Sequence, residues 1–297
     1  MFLKLLQPGD EELLEAFILQ HINTSMFLRS NLQAAGLVDG NQRYQGTYIA
    51  AIENQEIKAV AAHYWNGMVV VQAPVYLEEV VRAVVEKSNR VISGITGEAR
   101  QVKLTRKALQ LENRPTQLND DEILFSLALD KLKIPTALKS GKVKCRHPLP
   151  EELELLTQWR VAYCVETLGD KETPELVKNC RQGIESSQAQ ARQWVLTVEH
   201  DKENNKENKL VSYSAFNAGL PDIVQIGGVY TPPDLRGNGY AKCVLAGSLL
   251  EAKSQGVYKA ILFTSKDNLA AQAVYRGIGF QETGEEYGLL LFQNSSE

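Results

Sequence analysis

The 297-residue chain has little of what builds metal centres or disulfide frameworks. Its four cysteines, Cys145, Cys164, Cys180 and Cys243, lie far apart with no CxxC pair. That spacing reads as reduced thiols rather than a disulfide framework or a zinc site. The four histidines, His21, His63, His147 and His200, are equally scattered and no HExxH occurs, so no metal is expected. No sign of charge dominates. The net charge is −4 and the pI about 5.7. Residues 1–140 carry 15 basic and 16 acidic side chains, and residues 141–297 carry 17 and 20. This excludes a chain that coats nucleic acid, and it excludes a charged tail. Apolar runs such as Gly288–Phe292 fall far short of the ~20 residues that a membrane span needs. The N-terminal apolar stretch breaks at Pro8 into acids, unlike a secretory leader. A cytoplasmic protein without nucleic-acid or membrane partners is the expectation.

What is present is an ordinary globular mixture, 44% hydrophobic and 23% charged, long enough for about two domains of roughly 150 residues. Pro135, Gly141 and the small polar residues between them mark a division near Ile134–Gly141, giving domains 1–138 and 139–297. The first half opens with a strand at Phe2–Leu6 and a helix that Asp10 is placed to cap. Strands follow at Gly46–Glu53, Ile57–Asn66 and Met68–Gln72, with Asn54-Gln55 and Asn66-Gly67 as hairpin turns. A helix is expected at Glu78–Asn89, a strand at Val91–Ile95 and a helix at Glu98–Leu109. The second half repeats that order. A strand at Lys142–Arg146 precedes two helices, opened by Pro150 and Pro174. Trp194–Glu199 and Leu210–Asn217 read as a hairpin around a polar loop, 200–209. Strand Ile223–Tyr230, helix Gly239–Gln255, strand Tyr258–Thr264 and a helix from Asn268 to Arg276 come next. Segments Gly279–Glu282 and Tyr287–Phe292 close the chain. The fold class is therefore α/β (α+β): two domains, each a mixed, mostly antiparallel sheet flanked by helices.

The most informative stretch is Val229-Tyr230-Thr231-Pro232-Pro233-Asp234-Leu235-Arg236-Gly237-Asn238-Gly239-Tyr240-Ala241. A strand ends, two prolines forbid its continuation, and a glycine loop leads into a helix. Gly237 and Gly239 permit positive φ and close approach of a ligand. Successive N–H groups at a helix N-terminus make a nest for phosphate. For these residues alone, an exposed turn with a helix cap is an equal reading. Thirty residues on come Asn268 and Ala273-Val274-Tyr275-Arg276-Gly277-Ile278-Gly279-Phe280. Here the chain resembles the GNAT superfamily of acyl-CoA N-acyltransferases. Arg236-Gly237-Asn238-Gly239-Tyr240-Ala241 matches that family's (Arg/Gln)-x-x-Gly-x-(Gly/Ala) pyrophosphate loop, and Asn268–Phe280 matches its Asn…Tyr…Gly-Phe block. The Val-Tyr-Thr-Pro-Pro lead-in is most similar to the FR47-like branch. The Rossmann pattern lacks its third glycine, since Lys242 stands there, and neither a Walker lysine nor GxSxG is present. In the first half the corresponding segment, Gln72–Glu79, has no glycine or arginine and carries two acids. The first domain therefore reads as a degenerate, non-catalytic copy.

The resemblance implies acetyl-CoA as co-substrate and direct attack by an amine on the thioester. It implies that Val229, Tyr230 and Thr231 pair with pantetheine, that a backbone N–H at Val229 or Tyr230 serves the oxyanion, and that residues 236–241 hold the diphosphate. Tyr275 matches the family's general acid; as a residue it is equally a core tyrosine on an amphipathic helix. Asn268 either bonds CoA or caps a helix. No carboxylate lies on strand Ile223–Tyr230, whose one polar side chain is Gln225. Glu166, Glu172 and Glu199 are the candidate bases, with a water chain as the alternative. Trp159, Tyr163 and Trp194 line the acceptor cleft or simply pack the core. The expected activity is N-acetyl transfer to a primary amine of a small molecule or peptide by a monomer or homodimer. The alternative is a non-catalytic acyl-CoA-binding sensor or interaction module.

Overall fold

The computed structural model describes residues 1–202 and 205–293, and side chains outside 200–207. Along the chain run β1 (Phe2–Leu5), α1 (Glu11–Ile18), α2 (Met26–Ala35), β2 (Gly46–Glu53), β3 (Glu56–Tyr64), β4 (Met68–Gln72), α3 (Leu77–Ser88), β5 (Gly94–Glu98), α4 (Ala99–Ala108) and β6 (Thr116–Ala128). There follow α5 (Thr136–Lys139), β7 (Val143–Arg146), α6 (Leu153–Leu168), α7 (Pro174–Ala189), β8 (Gln193–Lys202), β9 (Asn205–Gly219), β10 (Ile223–Tyr230), α8 (Tyr240–Ser254), β11 (Lys259–Thr264), α9 (Leu269–Ile278) and β12 (Gln281–Phe292). Two compact units result: Met1–Leu124 with Gly284–Glu297, and Phe125–Thr283.

The division thus falls earlier than 138/139, and the last strand belongs with the first unit. Residues 125–133 are tied into the second unit. The Phe125 ring lies 6.0 Å from Tyr275, Leu129 N–H donates to Tyr258 O at 2.8 Å, and Lys133 N–H donates to Ile278 O at 2.9 Å. The two expected C-terminal segments are one strand, β12, whose residues Tyr287–Leu291 pair antiparallel with Glu98–Gly94 of β5. A sheet edge left open is a row of unmet donors and acceptors, and β12 meets those of β5.

In the first unit β1 to β5 lie in sequence order with β12 beyond them; β4 and β5 are parallel and the other pairs antiparallel. Asn54 and Gln55 both take positive φ, +52° and +65°, as a tight hairpin turn requires. Strand alternation sends Tyr48, Ala50 and Ile52 to the face that packs on Leu14, Ile18 and Leu28, and Ile49 and Ala51 to the face that packs on Val80, Val81 and Val84. Asp10 precedes α1 but does not cap it. Its carboxylate instead accepts from Lys4 Nζ at 2.6 Å and from Gln7 N–H at 3.1 Å. The strand expected at Val91–Ile95 lies three residues later. Asn89 ends α3 at φ +51°, Val91 is 81% exposed, and ladder bonding starts at Gly94.

In the second unit the order is β11-β10-β9-β8-β7, with β10 and β11 parallel and the rest antiparallel. The expected polar loop 200–209 is mostly strand, since β8 and β9 pair out to Lys202↔Asn205; residues 203–204 lie outside the described residues. Leu156 and Trp159 of α6 and Ile184 of α7 pack on one face against Val195, Tyr213, Ala215 and Tyr230. Helix α8 is buried along much of its surface, through Val244, Leu245, Ala246 and Leu249.

One buried group links this packing to pH. His63 on β3 is fully buried, with Nδ1 2.7 Å from Ser88 Oγ, and burial depresses its pKa to about 4. The folded chain keeps it neutral while an unfolded chain protonates it near 6.5. Its contribution is complete above pH 6.5 and is lost as the pH falls toward 4. Thermal unfolding followed across that window is expected to show a falling midpoint in the wild type and a flatter profile in His63→Gln.

Candidate active site

β10 and β11 pair only at Ile223↔Lys259, Val224↔Ala260 and Gln225↔Ile261. β10 then runs on to Tyr230 and β11 to Thr264, with no further pairing between them among the described residues. On its other side β10 stays on β9 through two register shifts. Gly227 pairs with Ala215 and Tyr230 with Tyr213, so three steps on β10 match two on β9. The extra residue is accommodated at Gly228, which takes φ +65°, a conformation that favours glycine. The β11-facing backbone of 226–230 therefore presents donors and acceptors without a strand partner. In the first unit the equivalent parallel pair, β4 and β5, remains bonded from Met68↔Gly94 to Val71↔Gly97.

Past the parted strand the chain is anchored at Thr231, whose hydroxyl lies 2.9 Å from Ser212 Oγ; Ser212 also donates to Tyr230 O at 3.1 Å. Pro232 and Pro233 end the ladder. Gly237 and Gly239 take φ +81° and +76°, and a Cβ at either would meet no atom within 4 Å, so the space over the loop is open. The Asn238 amide ties the loop by donating to Leu235 O at 3.0 Å and Arg236 O at 3.3 Å. Gly239 is the N-cap of α8 and no side chain caps it. The first N–H groups of α8, at Tyr240, Ala241 and the next residue, lack intrahelical acceptors and carry the positive end of the helix dipole. This geometry fits a diphosphate: an open cradle, uncapped donors and one adjacent cation.

That cation has a partner. Arg236 donates through both terminal nitrogens to the two Glu166 oxygens, each at 2.8 Å, and through Nε to Thr231 O at 3.0 Å. The structure thus joins two expected site residues, the loop arginine and the candidate base. The Arg236 hydrogen bond holds the Glu166 carboxyl below its ordinary range, the opposite of what a base for an ammonium group needs. Glu172 is exposed and Glu199 lies 3.5 Å from Lys144 Nζ, so neither joins this loop.

Tyr275 lies on α9, 8% exposed, its ring 6.0 Å from Phe125 and 6.2 Å from Phe280. Asn268 caps α9 by accepting from Ala271 N–H at 3.0 Å. Trp159 packs with Tyr230, centroids 6.1 Å apart, on the α6 side of the sheet. Trp194 is on the other side, its ring tilted against Phe216 with centroids 4.4 Å apart and its N–H donating to Glu251 Oε2 at 2.7 Å, so it does not share a cleft with Trp159. Motif reasoning passes over Arg160, which follows Trp159 on α6 and covers the Gly228 bulge; a Cβ built there would be 2.8 Å from Arg160 Nη1. The available signal was a cation set among the residues of the buried face of α6.

The fold is one that GNAT acetyltransferases of solved structure share. The match to known families agrees: residues 153–280 fit the Acetyltransferase (GNAT) family, and the chain carries a GNAT domain over that range. A UPF0039 protein of Schizosaccharomyces pombe is 31% identical over 83 residues, which span 28% of this chain and 55% of that protein. Among solved structures, a Drosophila melanogaster protein shares the fold at 12% identity and TM-score 0.66, over 99% of each chain. A tandem GNAT protein from the clavulanic acid biosynthesis pathway does so at 10% identity and TM-score 0.55, over 100% of this chain and 99% of its own. A GNAT-family acetyltransferase from Colwellia psychrerythraea has 14% identity and TM-score 0.51, over 99% and 100%. Among the described residues no helix is long and apolar enough to cross a membrane.

The cap at Asn268 gives a direct check on α9. Asn268→Ala is expected to lower unfolding stability by about 1 kcal/mol in a denaturant titration, the usual worth of such a cap.

Proposed function

We propose that the protein is a cytoplasmic, acetyl-CoA-dependent N-acetyltransferase acting on a primary amine of a small molecule or peptide, with its chemistry in the second domain. In this reading the first domain is a GNAT-like copy that has lost the loop, and the second domain is of the FR47-like kind. The observation that carries it is the parting of β10 from β11 after Gln225, directly before the open glycine loop of α8.

The co-substrate supplies an activated acyl carbon. The exposed backbone of Val229, Tyr230 and Thr231 pairs with its pantetheine arm, and residues 236–241 receive the diphosphate. A neutral amine nitrogen attacks the thioester carbon. The C–N bond forms as the carbonyl electrons move to oxygen, where an N–H at Val229 or Tyr230 donates. Collapse breaks the C–S bond, Tyr275 gives its phenolic proton to the departing sulfur, and the amine proton leaves to water, from which the Tyr275 phenolate is reprotonated. Holding both reactants along one strand supplies much of the rate through effective molarity. Glu166 pairs with Arg236 and competes with the diphosphate for it, and is not the base.

Release of free CoA from acetyl-CoA with a panel of amines tests the activity; binding of acetyl-CoA with no turnover of any amine supports the sensor reading instead. Tyr275→Phe is expected to lower the single-turnover rate by roughly 10²-fold with acetyl-CoA affinity nearly unchanged. A wild-type rate removes Tyr275 from the mechanism. Glu166→Gln is expected to bind acetyl-CoA somewhat more tightly, because it removes a competing carboxylate, and to keep the single-turnover rate within a few fold. A fall of 10²-fold or more, about the size of a lost general base, would restore Glu166 to that role.

A further inference from the structure

Arg160 is half-buried on α6, and its guanidinium lies against the β10 bulge at Gly228 and 5.0 Å from the Tyr163 ring. It has no ion-pair or hydrogen-bond partner among the described residues. Several acids on and around α6 and α7 are paired with other cations: Glu166 with Arg236, Glu154 and Glu185 with Arg181, and Glu152 with Arg146. Tyr213, the other side chain near Gly228, has its hydroxyl committed to Gln193 Oε1 at 3.0 Å.

A second observation comes from the same strand. Gln225 is 1% exposed and its Nε2 has no partner. Ala215 packs with Leu156 and Trp159, so its partner Gly227 faces α6, and strand alternation puts Gln225 on that side too. A buried amide nitrogen left without an acceptor is costly unless a ligand supplies one. Two unmet donor groups, one of them cationic, therefore lie along a short length of β10 on its α6 side.

We infer that Arg160 and Gln225 receive a carboxylate carried by the acceptor, so that the acceptor is an α-amino acid or a compound with a carboxylate equally close to its amine. This rests on the transferase reading. The planar guanidinium fork matches a carboxylate with two parallel bonds. Gly228 is next to Val229, one of the two N–H groups proposed for the oxyanion, so the anionic group and the reacting nitrogen are only a few bonds apart. Arg160 here is a specificity-determining residue; the bonds made and broken are those of the transfer itself.

The test compares common L-amino acids with their primary amides as acceptors, at saturating acetyl-CoA, following CoA release. The wild type is expected to prefer acids by 10-fold or more in kcat/KM, and the preference is expected to lie in KM. Arg160→Met is expected to bring the acid-to-amide ratio down to near one, the loss of a charged hydrogen-bonded pair, and Arg160→Lys to restore part of it. Arg160→Gln serves as a second variant should methionine disturb packing. Equal use of acids and amides by the wild type overturns the assignment. So does an equal loss on both in Arg160→Met, or a matching rise in its acetyl-CoA Kd, which would make Arg160 a phosphate contact. No CoA release with any amine overturns the transferase reading and this inference with it, whereas turnover confined to uncharged amines overturns this inference alone.

Discussion

The hydrogen-bond ladder between β10 and β11 stops after three residue pairs, and the site follows from that stop. Backbone donors and acceptors in a sheet interior are normally met by a neighbouring strand. Where two parallel strands part, one of them offers an extended row of such groups to a linear ligand. The Gly228 bulge bends β10 while β9 holds it from the other side, so the opening is braced by a ladder that β9 maintains to Tyr230. The prolines then stop the strand, and the glycine loop turns the chain into α8 within a few residues. Strand edge, loop and helix end are parts of one turn of chain, and each has its position because the ladder ended where it did.

The first unit shows the same ingredients without the opening. β4 and β5 stay bonded along four pairs, and the segment after β4 is closed by the Ala73 N–H donating to Gln101 Oε1 at 2.5 Å. Helix α3 starts with Glu78 and Glu79 in its first turn, which satisfies the helix dipole internally. A helix end answered by its own acids has no call for an external anion. In the second unit α8 has no acid in its first turn and no side-chain cap. The contrast between the two units lies in which charges are supplied from within the chain and which are left for a ligand.

Charge on the α6 side of the second unit follows the same logic. Glu166 answers Arg236 at the loop, and Arg181 draws in Glu154 and Glu185. Arg160 is left over beside the bulge. Exposed ion pairs contribute little to stability, so their arrangement bears on what the surface recognises more than on how tightly the unit holds together.

How much of this was legible in the chain depends on the range of the interaction concerned. The glycine loop, the strand before it, the helix after it and the Asn268 cap are local features, and their residues carry the needed φ angles, breaks and caps by themselves. The I′-type turn at Asn54-Gln55 and the bounds of β2, β4 and β10 were readable for the same reason. Asp10 was misread because a lysine on β1 outbids a helix end for its carboxylate, and β5 was misplaced because its start is set by pairing with β4. The closing strand and the division of the chain into units depend on contacts made by residues far apart in sequence, as when Tyr287–Leu291 complete the edge of β5. By itself, the sequence determined which residues turn, cap and end each element, since those are properties of single side chains and their near neighbours. Only the tertiary structure decided where β10 leaves β11, which acid answers Arg236 and which arginine stays unanswered, because each is a competition between groups that folding alone brings together.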